Sequence, residues 1–123
     1  MEAKKKYFMD CHLAGRMYHE ADDVWNQLKV GTVLWLERDL DNRYDPNAVA
    51  VCYYDLDNDL DEGVRYVLGY IPREENESIA TFFDMGWTDL FECRINRIVP
   101  EAHPEHQIHL TINVVRNPKA QEA

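Results

Sequence analysis

Short runs of strand-forming sequence, separated by turn residues, constrain the fold of this chain more than any other feature. These runs are rich in β-branched, aromatic or alternating apolar side chains, and they predict strands at residues 6–13, 32–38, 48–54, 65–71, 90–99 and 107–115. Apolar residues at helical spacing predict one helix at 74–85, and a mixed segment at 20–28 predicts one or two helical turns. Six short strands of this kind indicate a mainly β fold, either a small barrel or a sandwich.

The length and charge of the chain exclude several classes of protein. Its 123 residues are enough for one domain and too few for a TIM barrel or a doubly wound α/β domain. The net charge of −10 excludes a protein that coats nucleic acid through overall positive charge. A local basic site is still compatible with this balance, because salt screens charges that are more than about 8 Å apart. Half of the net charge falls in a predicted loop at 55–63, so a basic site requires that loop to point elsewhere.

The three cysteines indicate a reducing compartment. Cys11, Cys52 and Cys93 each lie in an apolar run, and we predict buried free thiols in the cytoplasm, with one disulfide and a leftover thiol as the alternative. No apolar run approaches the roughly 20 residues of a membrane span, and the first residues lack a signal-peptide pattern. Residues 1–6 and 117–123 are expected to be flexible ends around a domain at 7–115.

No catalytic residue, cofactor or metal is predicted. The chain has no Cys-x-x-Cys pair for a zinc ribbon, no P-loop, no nucleophile elbow and no Gly-x-Gly-x-x-Gly. His103, His106 and His109 are evenly spaced, but a strand there would place His106 and His109 on opposite faces, which argues against joint metal binding. The acidic run at 55–61 lacks the glycine and glutamate of an EF-hand loop.

The most informative stretch is the polar corner at 41–48, which joins two predicted strands. Pro46 fixes its own backbone and favours an extended Asp45, and asparagine side chains readily close such turns. A turn alone does not require Tyr44, an aromatic ring in a polar loop, with Arg43 beside it. A ring next to a guanidinium is also what a base-stacking surface uses, so the corner fits either a plain turn or a binding loop.

Two further stretches carry an aromatic residue and an arginine near a glycine. Gly15, Arg16 and Tyr18 follow the first predicted strand, and Tyr18 by itself fits a core or rim position better than a ligand contact. Gly69 inside a predicted strand indicates a bulge or a close backbone approach. Arg73 stands at the end of that strand, where it fits a phosphate contact or an ion pair with a neighbouring glutamate equally well.

In this order and spacing, the three stretches resemble a HIRAN domain. The matching elements are Gly-x-x-Tyr at 15–18, Asn-x-Tyr-Asp-x-Asn-Ala at 42–48 and Gly-Tyr-Ile-Pro-Arg at 69–73. The resemblance implies a six-stranded β-barrel of OB-like or SH3-like form that binds single-stranded DNA and captures its 3′ end, either alone or joined to a helicase-like ATPase. The sequence differs from the DNA-binding members at two positions: Met17 stands where they carry a basic residue, and Tyr70 stands where they carry a histidine.

The resemblance also implies which residues bind DNA. The candidates are Arg16, Tyr18, Asn42, Arg43, Tyr44, Asp45, Tyr70 and Arg73. Tyr18 and Tyr44 would stack on the terminal bases, and Asp45 would accept a hydrogen bond from the 3′-hydroxyl. Asn42 would hold the corner or contact the sugar, and Arg73 would meet a backbone phosphate. The third motif would approach the end nucleotide, and the other arginines, with Arg38, would add positive charge.

Two other functions stay open at this point. A protein-interaction domain would use the same aromatic groove for an extended peptide, and the acidity of the chain favours this alternative. A metal-assisted hydrolase acting on nucleic acid or an acid anhydride has only the carboxylates and histidines in its support.

Overall fold

The computed structural model describes residues 4–56 and 63–119, and its main element is a six-stranded antiparallel sheet. The strands are β1 (Lys5–His12), β2 (Val33–Arg38), β3 (Val49–Asp55), β4 (Val64–Tyr70), β5 (Phe91–Ile98) and β6 (Ile108–Val115). They lie in the order β1-β6-β5-β2-β3-β4. An α-helix, α1 (Glu77–Asp84), follows β4, and 3-10 segments span Arg16–Tyr18, Ala21–Gln27 and Pro104–His106. No helix among the described residues is long and apolar enough to cross a membrane.

The mainly β, six-stranded prediction is confirmed and is consistent with an OB-like fold, but the word barrel is too strong because the sheet is open. In the described part, the segment after β1 connects to the end of β4 through one isolated bridge, in which the amides of Ala14 and Tyr70 each donate to the other's carbonyl at 2.9 Å. Gly69 permits this approach, since a Cβ there would lie 2.4 Å from the Ala14 carbonyl oxygen. The predicted close backbone approach at Gly69 is therefore confirmed.

The hydrophobic core lies between the curved sheet and α1. On β6 the period-two pattern buries Ile108, Leu110 and Ile112 completely, because alternate side chains of a strand point to the same face. From α1, Ile79 and Phe83 pack onto the same core. Each such aliphatic side chain stabilises the fold by roughly 1.5–3 kcal/mol relative to its exposed state.

The helix begins later than its sequence predicts. The amide of Glu75 donates to the carbonyl of Pro72 at 2.9 Å, which closes a turn rather than a first helical turn. Asn76 then precedes the helix, so Glu77 is the one member of the predicted glutamate cluster inside it. Gly86 follows the helix with a φ of 92°, the left-handed conformation expected for a glycine at this end.

All three cysteines are buried free thiols, as predicted. Burial raises the pKa of Cys11 and of Cys52 to about 12 in each case, and it raises the pKa of Cys93 as well. Because the thiolate is the reactive form of cysteine, these side chains act as small apolar residues at neutral pH.

Candidate functional site

Three segments meet at one end of the sheet, and they hold every binding residue that the sequence predicted. They are the turn segment (residues 13–19), the corner segment (residues 39–48) and the strand-end segment (residues 69–76). The Ala14–Tyr70 bridge joins the turn segment to the strand-end segment. The Tyr70 hydroxyl donates to Asp39 Oδ2 at 2.6 Å, and Asn76 Nδ2 donates to Asp45 Oδ2 at 2.7 Å. Hydrogen bonds therefore fasten the corner segment to the strand-end segment as well.

The corner segment is held by asparagine and aspartate side chains that bond to nearby backbone amides. Asn42 Oδ1 accepts from the amide of Tyr44 at 2.8 Å and from that of Asp45 at 3.0 Å. Asp45 Oδ1 accepts from the amide of Asn47 at 2.9 Å. Asparagine and aspartate side chains commonly close turns through such hydrogen bonds to amides two or three residues further along the chain. Asn42 thus holds the corner, one of the two roles that the resemblance implied for it.

Arg38, at the end of β2, anchors the far side of the corner segment. Its guanidinium donates to the carbonyls of Ala48 at 3.0 Å and Pro46 at 2.7 Å. It also pairs with the Asp84 carboxylate of α1 at 2.9 Å. Since its side chain is mostly buried and fully engaged, Arg38 is a structural anchor rather than part of a positive surface patch.

Tyr18 and Tyr44 point their rings into solvent. Tyr18 is 79% exposed and Tyr44 is 86% exposed, so neither ring takes part in the core. The turn below Tyr18 is fixed by Gly15, whose φ is 70° and whose amide donates to Glu105 Oε1 at 2.7 Å. Two large aromatic surfaces on anchored segments are thus available to a ligand.

The Asp45 carboxylate is oriented by a buried residue that the sequence analysis missed. Asn76 is completely buried, and its amide nitrogen holds Asp45 Oδ2 from below. The Asn76 Oδ1 atom is also buried and makes no hydrogen bond within the described residues. Each oxygen of Asp45 accepts one protein hydrogen bond and keeps a second acceptor position, since an ionised carboxylate offers about four. The sequence signal that could have pointed to Asn76 is an asparagine at the position directly before α1.

Tyr70 faces its neighbours rather than open solvent. Its ring lies 5.2 Å from the ring of His19, and its hydroxyl bonds to Asp39. Burial, followed by the hydrogen bond to Asp39 and the charge of that carboxylate, raises the pKa of Tyr70 to about 12. Tyr70 therefore forms a wall of the site and stays protonated over the whole physiological range.

Replacing Tyr70 by phenylalanine removes this hydrogen bond and is expected to lower the free energy of unfolding by roughly 0.5–1.5 kcal/mol at neutral pH. The folded pKa is raised, so the stabilisation is fully present below the ordinary tyrosine pKa of about 10 and is lost as pH rises through about 12. Urea unfolding at several pH values checks this, with Tyr7→Phe on the exposed part of β1 as the control. A gap between Tyr70→Phe and wild type that widens at high pH would contradict it.

The candidate arginines divide into engaged and free side chains. Arg16 is buried, with its Nη2 atom 2.8 Å from Asp22 Oδ1 and its guanidinium 4.5 Å from the ring centre of Trp25. It braces the 3-10 segments Arg16–Tyr18 and Ala21–Gln27, so its guanidinium is engaged within the protein. Arg43 and Arg73 are exposed and form no ion pair or side-chain hydrogen bond with residues 4–56 or 63–119.

A family model described as HIRAN domain matches residues 6–116, nearly the whole chain. The chain belongs to the HIRAN family. HIRAN domains are DNA-binding modules, so a nucleic acid is the expected class of partner for this domain.

This HIRAN domain is similar to part of a plant protein and to two solved structures. It is 28% identical over 105 residues to the Fanconi-associated nuclease 1 homolog of Oryza sativa subsp. japonica. That alignment covers 85% of this chain and 10% of the plant protein, so the match concerns one small part of a much longer chain.

The two solved structures share the fold. A protein from Lactobacillus plantarum superimposes with a TM-score of 0.68 at 22% identity, covering 92% of this chain and 97% of that one. The HIRAN domain of human HLTF superimposes with a TM-score of 0.58 at 17% identity, covering 93% of this chain and 81% of that one. At these identities the likeness establishes a common fold.

Two predictions about this HIRAN domain fall outside its described part. The side chain of Met17 and most of the acidic loop, residues 57–62, lie there, so the predicted direction of that loop is not tested. The histidines are described: His106 ends the 3-10 segment instead of lying in a strand, and its carbonyl contacts His109 Nε2 at 2.8 Å. Among the described residues no group of three or more metal-binding side chains is arranged to hold an ion.

Proposed function

We propose that this HIRAN domain is a non-catalytic module that binds single-stranded DNA at its free 3′ end. Tyr18 and Tyr44 stack on the last bases, Asp45 accepts a hydrogen bond from the terminal hydroxyl, and Arg43 and Arg73 contact phosphates. One observation carries the proposal: two rings that are 79% and 86% exposed stand on segments that are fastened to each other.

The rings supply most of the binding free energy in this proposal. Stacking of a base on an aromatic side chain contributes about 1–3 kcal/mol and does not depend strongly on which base is present. Because Tyr18 and Tyr44 are already exposed in the free protein, no side chain has to leave the core before a base can stack. Binding with little sequence preference follows from this arrangement.

Asp45 supplies the preference for a strand end. Its orientation is fixed by Asn76 and by the amide of Asn47, and each carboxylate oxygen keeps an unused acceptor position. A hydroxyl donates to such an oxygen, whereas a phosphate can only be repelled by it. An internal nucleotide has no free 3′-hydroxyl, so the carboxylate also disfavours binding in the middle of a strand.

The overall acidity of the chain is compatible with this role. Arg43 and Arg73 lack carboxylate partners among the described residues and can therefore each neutralise a phosphate. Contacts with single-stranded phosphates give a salt dependence of about 0.7 in log affinity per log salt for each phosphate neutralised. Two such contacts predict a shallow slope and modest affinity at physiological salt.

The test is fluorescence anisotropy at low salt with short single-stranded oligonucleotides that differ only at the 3′ end. The oligonucleotide with a 3′-hydroxyl is expected to bind at least about tenfold more tightly than the one with a 3′-phosphate, because like charges in contact disfavour the latter. Asp45→Asn should reduce this ratio strongly, since the amide removes the charge but keeps a hydrogen-bonding oxygen.

The matched control moves the phosphate to the other end of the strand. An oligonucleotide with a 5′-phosphate and a 3′-hydroxyl carries the same charge as the 3′-phosphorylated one and should bind like the unmodified strand. Equal affinity for 3′-hydroxyl and 3′-phosphate ends, or no binding to either, would disprove end recognition.

A peptide-binding function remains the second candidate because of one apolar surface. Leu36, Leu40 and Phe83 line a cleft of about 450 Å³, and the side chain of Leu40 is more than half exposed. Met85 and Trp87, which follow α1 next to the lining residue Thr88, are also more than half exposed. Apart from Leu40, which belongs to the corner segment, this surface lies outside the three-segment region, so DNA binding that survives substitution of Trp87 separates the two functions. A domain that ignores DNA and loses a peptide partner through Trp87→Ala would favour this candidate.

The free buried thiols support a further proposal about the setting of the domain. Because disulfides persist mainly outside reducing compartments, we place the domain in a reducing compartment such as the cytoplasm. In the plant relative the matching region is a small part of a nuclease homologue. We therefore propose that this module presents DNA ends to a catalytic partner. The resemblance to HIRAN domains that are joined to helicase-like ATPases makes such an ATPase the candidate.

A further inference from the structure

A second cleft lies on the outer face of β1, β6 and β5, outside the three-segment region. Its volume is about 280 Å³, and the side chains that line it include Asp10, His12, Asn96, Arg97, His106 and His109. None of these side chains takes part in the proposed recognition of the strand end. The cleft gathers three imidazoles and one guanidinium, groups that can all donate hydrogen bonds to an anion.

Strand pairing explains why these side chains share one surface. His109 on β6 lies opposite His12 on β1 and also opposite Arg97 on β5. Directly opposite residues of an antiparallel sheet point to the same face, so His12, His109 and Arg97 form one row across three strands. The row is part of the sheet itself and does not depend on a loop conformation.

A β-bulge completes the row. The register of β5 shifts between Ile95 and Arg97, which makes Asn96 the extra residue. Ile95 is buried, whereas Asn96 and Arg97 are both exposed, as expected when a bulge redirects side chains. Arg97 makes no ion pair or side-chain hydrogen bond with residues 4–56 or 63–119, so its guanidinium is free to bind a ligand.

The third imidazole comes from the 3-10 segment that precedes β6. The ring of His106 lies 5.6 Å from that of His12 and 6.3 Å from that of His103. The backbone carbonyl of His106 contacts His109 Nε2 at 2.8 Å, and this contact orients the imidazole of His109. The imidazoles are therefore packed side by side at one end of the cleft.

Two carboxylates face this cluster, and both already accept protein hydrogen bonds. Glu105 Oε1 accepts from the amide of Gly15, while its Oε2 lies 3.7 Å from His12 Nε2. Asp10 Oδ1 accepts from the hydroxyl of Thr111 at 2.8 Å. The Cys11 thiol is neutral because burial raises its pKa to about 12. Among the side chains that line the cleft, Arg97 is the one that is always cationic.

Glu105 connects the cleft to the proposed DNA site. The same carboxylate that faces His12 holds Gly15, and Gly15 begins the turn that presents Tyr18. The cleft therefore lies next to the segment on which a terminal base is proposed to stack.

We propose that this cleft binds a backbone phosphate of the DNA strand whose 3′ end lies at Tyr18, Tyr44 and Asp45. The inference rests on the proposed function and extends it by several nucleotides. The cleft recognises a phosphate group, which a separate small phosphate compound could also supply. The test must therefore distinguish a DNA phosphate from that of a small compound.

The test compares a trinucleotide with a decanucleotide, both with a 3′-hydroxyl, by fluorescence anisotropy at neutral pH and low salt. Arg97→Gln is expected to weaken decanucleotide binding about threefold or more and to leave trinucleotide binding unchanged. The salt slope for the decanucleotide should fall by about 0.7, the value for one phosphate. Lys119→Gln, which removes one charge just beyond the other end of β6, is the matched control and should change neither affinity.

The results that overturn the proposal differ from a failure of end recognition. Equal effects of Arg97→Gln on both lengths, or no effect on either, remove the cleft from the path of the strand, while a Tyr44-dependent trinucleotide affinity keeps the proposed function intact. If inorganic phosphate shifts the ring signals of His12 and His109 in NMR spectra without a length effect on DNA, the cleft serves a separate phosphate compound. His109→Gln must reproduce the Arg97→Gln result, since both side chains belong to the row.

Discussion

The double substitution Tyr18→Ala and Tyr44→Ala is expected to lower the affinity for a short 3′-hydroxyl oligonucleotide by about thirtyfold or more. Each lost stacking contact costs about 1–3 kcal/mol, and every 1.4 kcal/mol is about tenfold in affinity. The fold should be unaffected, because both rings are at least 79% exposed and lie outside the core. Anisotropy titration gives the affinity, and circular dichroism with urea unfolding checks the fold.

Two controls make the double substitution decisive. Tyr18→Phe and Tyr44→Phe keep the aromatic faces and should retain most of the affinity, because stacking does not need the hydroxyl. Tyr7→Ala removes a comparably exposed ring, 65% accessible, from β1, outside the three-segment region. A loss of binding in Tyr7→Ala equal to that of the double variant would show that exposed rings bind DNA unspecifically.

Asn76→Asp should destabilise the fold by about 3–5 kcal/mol at neutral pH, the usual cost of a buried charge without a partner. Asn76 is completely buried, and its amide nitrogen lies 2.7 Å from Asp45 Oδ2. The substitution keeps the shape but replaces a hydrogen-bond donor by a carboxylate that faces another carboxylate. Burial and the like charge raise the folded pKa of the introduced group, so the penalty decreases as pH falls through that value.

Urea unfolding followed by tryptophan fluorescence measures this effect at about pH 7 and about pH 5. Asn26→Asp adds the same charge at an exposed position of the 3-10 segment Ala21–Gln27 and should change stability by less than about 0.5 kcal/mol. If the two variants have equal stability, Asn76 does not hold Asp45 in the way described. The folded fraction of the Asn76→Asp variant should also bind 3′-hydroxyl ends less tightly, because the Asp45 carboxylate is then misplaced.

The strands were predictable because their signals are local. Period-two burial on β6 and β-branched runs in β2 and β3 place each strand within a residue or two of its observed bounds. The start of α1 was not predictable from glutamate content alone. Its delay depends on the turn closed by Pro72 and Glu75 and on the contact of Asn76 with Asp45, which is 31 residues away in sequence.

The site was predictable as a set of motifs but not as a set of free side chains. Exposure of Tyr44 in a polar corner follows from the loop itself, and Asn42 follows from the chemistry of such turns. The buried position of Arg16 depends on Asp22 and the ring of Trp25, which only the folded chain brings together. The openness of the sheet was not predictable either, because it depends on how the segment after β1 meets β4 at the Ala14–Tyr70 bridge.

An open sheet leaves two margins where another chain could add a strand, and unprotected margins promote aggregation. On β4, Glu20 occupies that position: its amide donates to the Val67 carbonyl at 2.8 Å, and its carboxylate accepts from the Val67 amide at 3.0 Å. On β1, the exposed Lys5 and Lys6 place positive charge at the start of the margin. Because both edges are protected in this way, the domain can be part of a longer chain, at high local concentration, without pairing its edge strands with those of a neighbouring molecule.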